Sequence, residues 1–239
     1  MMSNDIELLR EYAERRSDVA FATLVKRHIN LVYSVALRKV HDIHLAEDVS
    51  QAVFVILARK AGSLSAKTIL PGWLYLTTLY AASDVLKTEA RRQRRETEGH
   101  MHLCNDVSES EPEWRQLSPV LDDALAGLRE ADRNALILRF FQNKTLSEVA
   151  KALGIEERAA QKRVARSLEK LREIFLKQGI ALPAVAVSAA LSAHAIHAAP
   201  SALIASINST ILSGTITVPS ATRALELISW SKIAVATLH

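Results

Sequence analysis

The chain has 239 residues, 49% of them hydrophobic, enough to fill one large or two small cores. Only 7 glycines, 6 prolines and 5% aromatic residues, with long runs of helix formers and no alternating apolar-polar stretches, exclude a β-rich architecture and predict an all-α protein. The net charge of +4 matters less than its clustering, since a basic patch on one face is the footprint of a phosphate-binding surface, while the single cysteine, Cys104, excludes an internal disulfide framework and fits a reducing cytoplasm.

The opening MMSNDIELLREYAERR is charged and amphipathic, without a signal-peptide pattern. Ile6, Leu9 and Tyr12 mark a first helix, and Phe21, Leu24, Val25, Val32 and Ala36 a second, with Ser17 or Asp18 as the cap between them. After a break at His41 to His44, LAEDVSQAVFVILARK predicts a third helix. Its apolar face is Val49, Ala52, Val53, Ile56 and Leu57, and its polar edge carries Glu47, Asp48 and Gln51. The loop AGSLSAKTILPG then leads to a fourth helix expected from Trp73. Lys87, Arg91, Arg92, Arg94 and Arg95 crowd positive charge at its end. Such a block is ordinarily a solvated helix end. Trp73, Tyr75 and Tyr80 on the same helix add aromatic faces, which suit unstacked bases as well as a core.

Residues 1–95 thus read as one helical domain. Residues 96–116 change character, with acids at Glu96, Glu98, Asp106, Glu109, Glu111 and Glu113 and little apolar periodicity, and read as a flexible acidic linker. His100, His102 and Cys104 alternate within it, a poor framework for fixed metal geometry, so no metal site or other cofactor is expected. A second domain, residues 117–179, is expected to start with Ser118 and Pro119 as cap and first-turn residue, followed by Asp122 and Asp123 at the helix N-terminus.

That domain ends in TLSEVAKALGIEERAAQKRVARSLEK, which predicts two short helices joined by a tight turn. Thr145 and Glu148 form a capping box; Leu146, Val149, Ala150 and Leu153 recur at helical spacing; Gly154 is free to take positive φ at the helix end. In the second helix Ala160, Val164, Leu168 and Leu171 share one face, while Arg158, Lys162, Ala165 and Arg166 point away. The outer face is basic and, at Ala159 and Ala165, low enough for a helix to sit deep in a groove. This pattern predicts a helix-turn-helix reading the DNA major groove. A stand-alone helix-turn-helix regulator would use the same helix but has no need of LAEDVSQAVF. Enzyme signatures are missing: there is no phosphate loop, His-Glu zinc helix or serine-nucleophile turn.

Taken together, these stretches resemble the RNA polymerase sigma factors of the extracytoplasmic-function (ECF) type, in the sigma-70 family. FATLVKRHINLVYSVALRKV, LAEDVSQAVFVILARK, GWLY and the basic run are similar to the family's region two. LREADRNALILRFFQNKTLSEVAKALGI and the helix after it are similar to region four. The resemblance implies a promoter-specificity subunit rather than an enzyme, acting in the cytoplasm with the polymerase core and promoter DNA. It assigns Glu47, Asp48 and Gln51 to the β′ clamp helices and region four to the β flap. It assigns Ser63, Ser65, Lys67, Trp73 and Tyr75 to an unpaired minus-10 base, and Lys87, Arg91, Arg92 and Arg95 to the adjacent backbone. Arg158, Gln161, Lys162, Arg163 and Arg166 fall to the minus-35 duplex. Ala52 stands where an acid often follows the glutamine, and Leu79 and Tyr80 replace a frequent Arg-Asn pair.

Residues 180–239 lie beyond the resemblance. From Pro183 the only Asp, Glu, Lys or Arg residues are Arg223, Glu226 and Lys232, and Pro183, Pro200 and Pro219 cut the stretch into pieces too short to span a bilayer. Two or three mildly amphipathic helices needing a partner surface are expected, with His194 and His197 on an exposed or partner-facing edge. The stretch reads as an extension for self-regulation or for an anti-sigma partner. SKIAVATLH, where the sequence stops, looks like the start of a longer hydrophobic segment that would bring membrane association in a longer form.

Overall fold

A computed structural model describes residues 4–96 and 112–212, and every element in them is helical. The chain divides into two compact units. The first contains α1 (Asp5–Arg15), α2 (Asp18–Val40), α3 (Ile43–Lys60), α4 (Leu70–Glu96) and, from far along the chain, α10 (Ser201–Leu212). The second contains α5 (Pro112–Ala126), α6 (Glu130–Leu136) with a π-helical turn at Ile137–Phe141, α7 (Leu146–Leu153), α8 (Glu157–Lys177) and α9 (Ala184–His194).

In the first unit short polar side chains set the helix starts. Asn4 and Glu7 form a capping box on α1, the Ser17 hydroxyl accepts from the Ala20 N–H at 3.3 Å, and Asp42 Oδ1 accepts from the Leu45 N–H at 2.8 Å. Arg16 and His41 end α1 and α2 in left-handed geometry, where the chain turns back. The α2, α3 and α4 faces that meet are apolar, with Leu24, Val25, Val32, Val53, Phe54, Leu57, Leu74 and Val85 buried. Asp5 ties α1 to α2: its carboxylate accepts from Arg27 Nη1 at 2.8 Å and lies 2.9 Å from Nε2 of the buried His28. Burial alone would raise the Asp5 pKa, but the bonds to His28 and Arg27 outweigh it and hold the carboxyl down at about 2.

α4 starts at Leu70 rather than Trp73, so Pro71 and Gly72 lie in its first turn. This registers Trp73 and Tyr75 inward. Trp73 keeps 7% of its surface and Tyr75 none, which corrects the expectation that their rings face a base. The large side chain of Tyr75 fills space at the helix interface, and burial of that area outweighs any pull of its hydroxyl toward water.

The second unit begins earlier than expected. α5 starts at Pro112, within the stretch read as linker, because Trp114 and Leu117 extend the apolar face of Leu121 and Leu125 by two turns. Pro119 therefore lies inside a helix rather than in its first turn, and Asp122 is buried. Arg133 secures the next corner, donating to the carbonyls of Leu128 at 2.9 Å and Ala126 at 3.4 Å. Residues 180–212 do not form a separate body. Val187, Ala190 and Leu191 of α9 are buried against α5, α8 and the π-helical turn, and the His194 ring lies 5.7 Å from that of Trp114, not on an exposed edge. α10 instead belongs with α2 and α3. His100, His102, Cys104 and the SKIAVATLH run lie outside the described residues.

Candidate nucleic-acid interface

The turn between α7 and α8 is built from local chemistry. Thr145 Oγ1 accepts from the Glu148 N–H at 3.2 Å, and Glu148 Oε2 accepts in return from the Thr145 N–H at 2.8 Å. Those bonds, with the neighbouring Lys144 ammonium, lower the Glu148 pKa. At the other end Gly154 takes φ 63°, and its N–H reaches the carbonyls of Ala150 and Lys151. The Ile155 N–H follows at 3.0 Å from the Ala150 carbonyl, which closes the turn.

α8 then packs through Ala160, Val164, Ser167, Leu171 and Phe175. Arg158, Ala159, Gln161, Lys162, Ala165 and Arg166 are all exposed along the opposite side. Arg163, expected on that stripe, sits half-buried on its flank. Lys170 Nζ bonds Asp132 Oδ2 at 2.6 Å and braces α8 against α6. The outcome is a rigid helix with a cationic face interrupted by two alanines, which admits close approach to a polyanion and offers side chains with donors for base edges.

The first unit offers two further polar areas. Ser63, Ser65 and Lys67 are all exposed on the loop between α3 and α4. The loop is shaped by the Ser63 hydroxyl donating to the Lys60 carbonyl at 3.0 Å and the Lys67 N–H donating to Ser65 Oγ at 3.2 Å, with Leu64 anchored on the core. On α4, Lys87 is exposed and 3.4 Å from Asp84, and Arg91 is exposed. Arg92 and Arg95 lie in the last turns of the helix, with their side chains outside the described residues. The exposed aromatic ring of α4 is Tyr80, at 36% of its surface. It follows Tyr75 by five residues, a spacing that separates the two rings on the helix, and this was the signal available in the sequence.

Along α3, Glu47, Asp48 and Gln51 are half-buried and share one edge. Partial burial and then the neighbouring Glu47 raise the Asp48 pKa, and burial with Glu47 also raises that of Tyr33. Gln51 is engaged within the chain: its Nε2 donates to Thr210 Oγ1 of α10 at 2.8 Å. Neither Thr210 nor Asn30, whose side chain also holds α10, carries a sequence signal of this role.

Comparison with known proteins places these features in one family. Residues 24–95 match Sigma-70 region 2, and residues 119–171 match Sigma-70, region 4. The chain is similar to the RNA polymerase sigma factor CarQ of Myxococcus xanthus, 32% identical over 160 residues that cover 65% of this chain and 89% of that protein. It is also similar to the ECF RNA polymerase sigma factor SigE of Mycolicibacterium smegmatis, 27% identical over 64% of this chain and 61% of the relative. A third relative, the ECF RNA polymerase sigma factor SigK of a Mycobacterium species, is 25% identical over 69% of this chain and 87% of its own length. With a helical unit matching region two and a helix-turn-helix unit matching region four, in that order, the chain belongs to the ECF group of the sigma-70 family of RNA polymerase sigma factors.

Proposed function

We propose that this sigma factor directs core polymerase to its promoters with its surfaces divided as follows. The α3 edge at Glu47, Asp48 and Gln51 meets the β′ clamp helices, where carboxylates and an amide can accept from arginines. The loop carrying Ser63, Ser65 and Lys67 receives an unpaired minus-10 base, with Tyr80, rather than Tyr75 or Trp73, as the stacking aromatic. Lys87, Arg91, Arg92 and Arg95 hold the adjacent phosphates. Arg158, Gln161, Lys162 and Arg166 read the minus-35 duplex, Arg163 serves a flanking phosphate, and the second unit docks on the β flap. Transcript synthesis belongs to the polymerase, so the chain supplies specificity in the cytoplasm rather than catalysis.

The observation that carries this reading is the exposed stripe on α8, cationic and notched by Ala159 and Ala165, on the helix that follows the Gly154 turn. Residues 180–239 act in regulation, on the chain itself or with an anti-sigma partner, and in a longer form beside a membrane. No helix among the described residues is long and apolar enough to cross one. The test is co-purification with core polymerase followed by run-off transcription on genomic fragments. Glu47→Arg with Asp48→Arg should abolish core capture while leaving helical content intact, because both side chains sit on a polar edge and cations there would repel the arginines opposite. Undiminished capture by the folded double variant would remove the assignment of this edge.

A further inference from the structure

The face made by α2 and α3 already has an occupant. α10 lies across both helices with Leu203 and Ile207 buried and Ala199, Ile204 and Ile211 packed half-buried against the same core. A polar bond fixes it near each end. The Ala199 N–H, just before the helix, donates to Asn30 Oδ1 of α2 at 3.0 Å, and Thr210 in its last turns accepts from Gln51 of α3 at 2.8 Å. Asn30 lies exposed on α2 and Gln51 half-buried on α3, so α10 covers positions that an external partner would approach. α10, SALIASINSTIL, holds no charged residue, and no ion pair secures it. Its attachment rests on a few apolar side chains and on local polar bonds that include those to Asn30 and Gln51, a contact small enough to exchange for a larger interface.

We propose that α10 is an intrachain competitor of the polymerase. It covers the part of the α2–α3 face that includes Gln51, and core binding requires it to lift away. This rests on the reading of the Glu47, Asp48 and Gln51 edge as polymerase-facing, with Glu47 and Gln51 just over one turn apart on the same helix side. The Thr210 bond holds the Gln51 amide beneath α10, and a helix seated there excludes a second helix from the same space. The apparent core affinity is then the intrinsic affinity multiplied by the fraction of chains with α10 undocked.

The experiment compares the full chain with its Ile207→Asp variant, which places a carboxylate at a position with no exposed surface and touches none of the proposed polymerase contacts. Core binding is measured by titration with labelled protein, and folding by circular dichroism. Ile207→Asp should bind core about tenfold more tightly or better, the gain expected when a docked state populated at ~90% is removed. A second measurement needs no substitution: hydrogen exchange across residues 199–212 of the native chain should speed up when saturating core is added. Unchanged exchange there, or an unchanged affinity of the folded variant, overturns the proposal. Failure of every form to bind core would instead overturn the polymerase reading, and this proposal with it.

Discussion

Gly154 carries the geometry of the DNA-reading unit in a way that a single methyl group can measure. At φ 63° it occupies the left-handed region, and a Cβ built on it meets nothing within 4 Å. Gly154→Ala therefore removes no contact and creates no clash, so its cost is the backbone conformation alone. That cost is about 1–2 kcal/mol for an L-residue in this region, offset in part by the lower entropy of the unfolded alanine chain, for a net loss of about 1 kcal/mol. Gly154→Asn should lose less, since asparagine tolerates this conformation. The contrasting site is Gly62, which has no positive φ and whose added Cβ would meet only Ala13 Cβ at 3.9 Å; Gly62→Ala should be neutral or slightly stabilising.

Because the chain forms two units, hydrogen exchange resolved by segment is the suitable assay. Amides that depend on the turn, such as Val149 bonded to the Thr145 carbonyl and Ala160 bonded to that of Glu156, should exchange about fivefold faster in Gly154→Ala, while α2 is unaffected. Affinity for a minus-35 duplex at low temperature should stay nearly the same, since the folded unit still dominates. The reasoning fails if exchange in α7 and α8 does not change, or if Gly62→Ala costs as much as Gly154→Ala.

Lys162→Ala should show the opposite profile, costing about 1–3 kcal/mol in minus-35 binding and relaxing preference at one base pair, with unfolding unchanged; equal transcription and sequence preference would disprove the docking face. Tyr80→Ala should slow promoter opening without loss of stability, whereas Tyr75→Ala should cost about 3–5 kcal/mol of folding stability by emptying a core site, which paired unfolding and permanganate-footprinting assays would separate. Asp5 has a folded pKa of about 2, below its unfolded value, so its contribution is full above the unfolded value and lost as pH falls through the folded one. Between pH 5 and pH 2 the chain should lose about 2 kcal/mol more stability than the Asp5→Asn variant, and parallel pH profiles in urea would refute the Asp5–Arg27–His28 link.

Elements set by local chemistry were legible in the sequence. Thr145, Glu148, Gly154 and Ser17 act through bonds and dihedrals within a few residues of themselves, and each does in the structure what its type and spacing imply. Charged faces were legible for the same reason, because Arg158, Lys162 and Arg166 repeat at a helical period. Helix starts set by tertiary burial were not. Trp114 lies among acids that read as linker, and only the apolar surface it packs against draws the helix back to Pro112. The same competition turned Tyr75 inward. An aromatic ring beside cations suits a base or a core, and the choice depends on which neighbours the fold provides.

The extension shows where such reading meets its limit. α9 and α10 have similar compositions, apolar with serines, and nothing in either segment says which surface it will cover. The distinction comes from the receiving surfaces: α9 fills a site against Trp114, α8 and the π-helical turn, while α10 finds Asn30 and Gln51. We read Gln51 as facing the polymerase through its carbonyl oxygen, while its Nε2 donates to Thr210 beneath α10. On the proposed competition, α10 and the polymerase occupy the ground around Gln51 in turn. The order of occupation follows from size, since a short uncharged helix with two deeply buried side chains can seat itself before core is met and can be displaced by a broader, charge-bearing surface afterwards.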